Sequence, residues 1–245
     1  SATRAVQGTG AAAAVLAISD GATYNYGTQA VGSGTDKSFT ITNSGGVSAT
    51  SMSGSGLAAP FTFKGGTYPG TGGNCSTSLA ASGTCTVVVT FTPSVSGAAS
   101  GTLTLGYNDG VTTQSSSRAL SGTGATPASL SISDGATYNY GATANGSNTD
   151  KTFTITNGGS FAASSIAAAA LSASYGYKGG TYPGTGGNCS TTLAASGTCT
   201  IVVTYSPTGS GTHNDTVTIN YNDGAAAQSA SRNITGTSTA PASLG

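Results

Sequence analysis

Apolar and polar residues alternate along short stretches of this 245-residue chain, with a period of two. That period marks strands half-buried on one face. Leu16 and Ile18 share one face of a first strand. In KSFTITN, Phe39 and Ile41 point one way, and Ser38, Thr40 and Thr42 point the other. CTVVVTFTP sets Cys85, Val87, Val89 and Phe91 on one face, and Pro93 ends the run. GTLTLGYNDG does the same with Leu103, Leu105 and Tyr107, and Arg118 and Leu120 mark a last strand. Weaker patterns predict strands near Thr50–Met52 and Phe61–Lys64. Turn residues (Gly, Asn, Asp) separate the runs about every ten residues, as in an all-β sandwich.

The whole pattern then repeats. Shifted by 114 residues, the sequence falls on itself without a gap: Cys75 and Cys85 land on Cys189 and Cys199, and Tyr107 lands on Tyr221. About three in five aligned positions are identical, so the two halves share a fold. Phe153/Ile155, Ile201/Val203/Tyr205 and Val217/Ile219/Tyr221 repeat the inward sets. The apolar stretch Ile166–Ala173 is read as strand and loop, because its counterpart MSGSGLAA is a poor helix former. About seven strands in about 110 residues is the immunoglobulin-like count. The expected fold is all-β, with two tandem immunoglobulin-like sandwiches. A short connection containing Pro127 leads to the expectation that they stand end to end.

The ends extend the repeat. Arg4, Arg118 and Arg232 are each 114 apart, so TRAVQGTG reads as the last strand of an earlier unit, or as an N-terminal extension. The expected organisation is that segment over 1–12, one unit over 13–124, another over 125–238, and the start of a following repeat or a tail over 239–245. The alternative is a protomer whose odd terminal strand docks into a neighbour. Any export signal would lie outside the chain, which opens at Ser1 without a charged or apolar leader.

Composition narrows function. Seven basic and seven acidic side chains give a net charge of zero, and every acid is Asp. Lacking a basic run, the chain has no electrostatic footprint for nucleic acid. No apolar stretch approaches the roughly 20 residues of a membrane span. Each unit carries two cysteines with nine residues between them. A metal site would want four ligands, and a redox pair usually has two intervening residues. The reading is a Cys75–Cys85 and a Cys189–Cys199 disulfide, each closing a loop before a core strand in an oxidising compartment.

At this point the chain resembles a known family. The stretches FTITNSGG and LAASGTCTVVVTFTPSVSGAASGTLTLGY, closing on LSGTG, are similar to the Hydin-type (ASH-like) immunoglobulin domain. They are closer still to the repeats of bacterial choice-of-anchor D surface proteins. The resemblance implies a seven- or eight-stranded sandwich, an exported protein and a role in surface architecture or attachment. It supplies no catalytic residue to carry over. The Pro60–Phe61 pair of the first unit becomes Ser174–Tyr175 in the second, a local departure.

Little else suggests chemistry. His213 is the only histidine; its counterpart is Ala99, and GSGTHNDT reads as a polar turn. Asp20, Asp134, Asp109 and Asp223 sit in turn contexts, with a calcium site as the functional alternative. Lys37 and Lys151 share the parity of the inward Phe and Ile residues, which raises a Lys–Asn isopeptide crosslink. Against it, Asp36 and Asp150 have the opposite parity, and a surface Lys at a strand start is the simpler reading. The most repeated stretch, Lys64–Thr77 and Lys178–Thr191, is a Gly-rich loop before the disulfide. Its Tyr68 and Asn74, with Tyr182 and Asn188, either pin the loop or form a contact platform for surface glycan or protein. The expected function is therefore a structural or adhesive repeat of an exported bacterial surface or fibre protein. Its expected partners are neighbouring repeats or copies of itself, and no metal or cofactor is expected. The alternatives are a self-assembling filament subunit and a glycan-binding adhesin module.

Overall fold

The structure is a computed structural model that describes residues 1–240; the segment predicted over 239–245 lies almost wholly outside the described residues. Two compact units divide the chain, Ser1–Gly124 and the part from Ala125 onward. The described residues form sixteen strands and no helix.

Unit 1 contains β1 (Leu16–Ile18), β2 (Thr23–Ala30), β3 (Thr35–Asn43), β4 (Thr50–Ser55), β5 (Phe61–Phe63), β6 (Thr84–Phe91), β7 (Gly97–Asn108) and β8 (Thr113–Ala125). Unit 2 repeats them as β9 (Leu130–Ile132), β10 (Thr137–Ala144), β11 (Thr149–Asn157), β12 (Ser164–Ala168), β13 (Tyr175–Tyr177), β14 (Thr198–Tyr205), β15 (Gly211–Asn222) and β16 (Ala227–Thr239). Every strand of unit 2 starts 114 residues after its twin. Residues 1–15 form no strand.

Each unit is a pair of four-stranded sheets, in the order β1-β3-β6-β5 and β2-β8-β7-β4 in unit 1. This is the immunoglobulin partition, with an extra strand beside the last one. The inner faces carry the predicted residues. Phe39, Ile41, Val87, Val89 and Phe91 come from one sheet and Leu103, Leu105 and Leu120 from the other, all buried. Burying each such side chain stabilises by about 1.5–3 kcal/mol.

The eighth strand, β2, is not visible in the sequence pattern. Its unit 2 twin β10 pairs with β16 in parallel, and a bulge between Asn139 and Ala142 shifts the register. The bulge breaks the alternation that reveals a strand. Gly27 and Gly141 sit there at positive φ, and each amide donates to the Asn two residues earlier, Asn25 or Asn139. Tyr26 anchors β2 to the core by donating from its hydroxyl to the Val89 carbonyl at 3.0 Å.

One buried polar side chain holds the front of each sandwich together. Asn43 is fully buried at the end of β3. Its Oδ1 accepts from the amides of Val15 and Gly45, and its Nδ2 donates to the carbonyls of Val47, Leu79 and Ala80. Asn157 repeats the arrangement with Ser129, Gly159, Phe161, Leu193 and Ala194. A buried polar group is tolerated when it is satisfied in this way.

Candidate functional site

The Gly-rich loop is the natural place to look for a site, because the two copies are nearly identical there. After Phe63 the chain leaves β5 and runs back along the outer edge of β6. The Lys64 amide donates to the Val88 carbonyl, and the Val88 amide donates to the Pro69 carbonyl. The amides of Asn74 and Cys75 both donate to the Thr86 carbonyl. Asn74 Oδ1 accepts from the Thr86 amide at 2.7 Å and from its hydroxyl at 3.0 Å. The Cys75–Cys85 disulfide fixes the end of the run. Gly70 has positive φ, and a Cβ there would fall 2.2 Å from the Val88 carbonyl oxygen, so the close approach admits only glycine. The loop thus satisfies the backbone groups of β6 that the three-residue β5 leaves open. An open edge of this kind invites pairing with other chains. In unit 2 the Asn188–Thr200 contacts and the Cys189–Cys199 disulfide repeat this seal.

The predicted contact residues belong to the same seal. Tyr68 is half-buried, its ring edge-on to Phe63 with centroids 5.8 Å apart, and its hydroxyl donates to the Ser76 carbonyl at 3.3 Å. Tyr182 lies edge-on to Tyr177 at 5.7 Å. Burial pushes both phenols up. Asn74 and Asn188 are exposed, but their side-chain oxygens are occupied by Thr86 and Thr200. The structure therefore brings Tyr and Asn into one loop in each unit, with the Asn side-chain oxygens bonded back to β6 and β14 and the Tyr rings packed on Phe63 and Tyr177, while the Tyr182 hydroxyl has no hydrogen-bond partner among the described residues.

The charged side chains pair locally. Lys37 Nζ lies 2.9 Å from Asp20 Oδ1 and 4.7 Å from the centre of the Tyr24 ring; Lys151 repeats this with Asp134 and Tyr138. Asp36 and Asp150 pair instead with Lys64 and Lys178. The lysines of inward parity thus meet a carboxylate at the rim of the core. The Ser19 hydroxyl and Lys37 hold the Asp20 carboxyl below its ordinary range, and Lys151 and Ser133 do so for Asp134. Lys64 and Thr90 lower Asp36, and Lys178 and Thr204 lower Asp150.

The Asn-Asp-Gly sequences make hairpins, as their residue types predict. Asp109 Oδ1 accepts from the amides of Val111 and Thr112, and Gln114 donates to Oδ2. The Thr112 and Val111 amides draw its pKa down. Around Asp223, burial raises the pKa, but the Ala226 and Ala225 amides and Gln228 outweigh it. Among the described residues, no group of three or more His, Cys, Asp or Glu could hold a metal ion.

His213 corrects the sequence reading. It lies within strand β15, not in a turn. A long β7–β8 or β15–β16 hairpin tolerates small and polar residues in its outer half, and such residues look like a turn in sequence. The His213 Nδ1 is 2.8 Å from the Tyr205 hydroxyl, and its carbonyl accepts from Tyr175 at 2.9 Å. Neither contact has a counterpart in unit 1, where Phe91, Ala99 and Phe61 stand.

Both disulfides fit folding in an oxidising environment. No helix of the described residues is long and apolar enough to cross a membrane.

Residues 132–237 match the family model described as HYDIN/CFA65/VesB-like, Ig-like domain. Unit 2 is similar to that Hydin-type domain. Unit 1 repeats the same strands and sheets in register. No curated protein matches the chain. Among solved structures, the ASH/PapD-like domain 7 of human CEP192 is 20% identical with a TM-score of 0.35, over 51% of this chain and 95% of that one. The Vibrio cholerae VesB protease is 19% identical with a TM-score of 0.33, over 45% of this chain and 32% of that one. Titin domains I67–I69, as an E-to-A variant, are 15% identical with a TM-score of 0.35, over 93% and 66%. These likenesses are too distant to bear on what the two units do.

Proposed function

We propose that the chain is a structural segment of an exported bacterial surface or fibre protein of the choice-of-anchor D kind, built from serial Hydin-type units. The observation that carries this reading is the use of the most repeated stretch. Lys64–Thr77 and its twin are bonded through their backbones to close a sheet edge, and the Asn side-chain oxygens and Tyr rings support that closure. An adhesin loop would keep such groups free for a partner. Lys37, Lys151, Asp109 and Asp223 are held in ion pairs and hairpins, and His213 is bonded to Tyr205. A low charge and a disulfide in each unit suit a passive extracellular element.

The test is binding. The two-unit chain, labelled and oxidised, is applied to arrays of glycans and extracellular proteins. The structural reading expects signals at background. Saturable binding that disappears in Asn74→Ala and Asn188→Ala chains, with both units still folded, would replace it with the adhesin reading.

A further inference from the structure

We infer that residues Thr3–Gly10 are a ready-made eighth strand for the sandwich of another copy of this unit. The inference rests on the reading of the chain as serial, self-contained units, and names the partner that one segment would take.

The argument comes from what β8 and β16 need. Along β8, alternate residues face the core. The Arg118 guanidinium donates to the Ile18 carbonyl, and Leu120 is 1% exposed. A Cβ on Gly122 would come within 2.6 Å of the Phe91 ring, and one on Gly124 within 2.2 Å of the Val95 carbonyl oxygen. Along β16, Arg232 donates to the Ile132 carbonyl, Ile234 is 1% exposed, and Gly236 stands 2.6 Å in the same sense from Tyr205. The slot therefore demands Arg, an aliphatic residue and glycine at alternate positions. Ser238 replaces the last glycine in unit 2 and bonds the Gly209 carbonyl.

The segment 114 residues before β8 supplies the full set: Arg4, Val6, Gly8 and Gly10. Ala5, Gln7 and Thr9 then fall where Ala119, Ser121 and Thr123 face outward. Where these residues stand, the set has no use. Val6 is 92% exposed, and a Cβ on Gly8 or Gly10 would meet nothing within 4 Å. Within the chain both slots are filled by β8 and β16. The partner is therefore a further copy that offers only its first seven strands. The segment would add antiparallel to the β7 equivalent and beside the β2 equivalent, a sheet augmentation. The β7–β8 register sets Val6 opposite the Gly101 equivalent, Gly8 opposite Ala99 and Gly10 opposite Gly97.

The experiment extends the full chain. A copy of residues 13–114 is joined ahead of Ser1, so that Ser1–Gly10 takes the place of Ser115–Gly124. Hydrogen exchange of the Val6–Gly10 amides is compared with the parent chain. The expected result is slowing by about 100-fold or more, and return to the parent rate with Val6→Asp or Gly8→Val. A control closes the added copy with Ser115–Gly124 itself. Fast exchange in the test chain beside slow exchange in the control would overturn the inference. So would undiminished protection in Gly8→Val. Fast exchange in both would overturn the serial-unit reading beneath it, and the inference with it.

Discussion

The two units share a backbone in register yet fill one corner of the core differently. In unit 1, Phe61 and Phe91 stack at 4.8 Å beside Tyr26; in unit 2, Tyr175 and Tyr205 stack at 4.9 Å beside Tyr140. The rings have barely moved, but two hydroxyls have been added to a core. Each has a partner on His213, which stands where unit 1 has Ala99: Tyr205 meets the His213 ring, and Tyr175 meets the His213 carbonyl. Phe63 becomes Tyr177 in the same corner. The lesson is that the scaffold elements are fixed separately from this cluster. Asn43 or Asn157, the disulfide and the glycine against the stacked ring recur in both units. Packing then accepts the hydroxyls of Tyr175 and Tyr205 because both are bonded.

The largest effect expected tests the shared part. Replacing Cys75 and Cys85 together by Ser should destabilise unit 1 by about 2–3 kcal/mol through loop-closure entropy. The Cys189/Cys199 pair should cost unit 2 the same. Denaturant unfolding followed by hydrogen exchange, which reads the units separately, checks this. Costs differing by more than about 1 kcal/mol would mean that the aromatic corner and the staple are coupled.

Next comes the corner itself. Phe91→Tyr places a hydroxyl beside Ala99, which offers no ring nitrogen, and should destabilise unit 1 by about 1–2 kcal/mol. Adding Ala99→His should recover most of that loss. If the double variant is no better than the sum of its parts, the Tyr205–His213 contact is not what lets unit 2 hold a tyrosine there. The reverse change is milder. Tyr205→Phe keeps the ring stack and removes one bond to a half-buried histidine, for about 1 kcal/mol, seen as a lower midpoint for unit 2 alone.

How much of this was legible without coordinates follows the same division. Strict alternation disclosed β3, β6 and β7, and duplication made every strand count twice. The two cysteines in each unit left only one sensible pairing. β2 was hidden because its bulge breaks the period, and because its main anchor, Tyr26, looks like any other tyrosine. Asn43 closes the run FTITN with the same inward parity as Phe39 and Ile41, but parity names no partner; only the fold shows five groups converging on it. His213 looked like turn material because its neighbours are small and polar. A comparison of the copies could have flagged it, since Phe61, Phe91 and Ala99 all change together at this corner. The sequence places Tyr68, Asn74, Tyr182 and Asn188 in the Gly-rich loops, but direction, inward or outward, is a property of the loop path.

The smallest expected effects are pH responses, and they separate the corner from the rest. Burial pushes the Tyr26 and Tyr140 phenols well up in both units; in unit 2 it also raises Tyr175, and takes Tyr177 up to about 12. A phenol raised in the folded state contributes stability that is full below the unfolded value near 10 and is lost as pH rises through the folded one. Unit 2 should therefore unfold first on alkaline titration, followed by tyrosinate absorbance and unit-resolved exchange; Tyr177→Phe should narrow the gap. On the acid side, Asp20, Asp36 and Asp109 are lowered in unit 1, and Asp134, Asp150 and Asp223 in unit 2. A lowered carboxyl contributes stability present above the unfolded value of about 3.9 and lost as pH falls through the folded one. The three carboxyls occupy matching positions in the two units, so both should lose stability together below about pH 4. An alkaline gap without an acid gap is the signature of units that differ in their aromatic corner and share their surface ion pairs. A comparable acid gap would place the difference elsewhere.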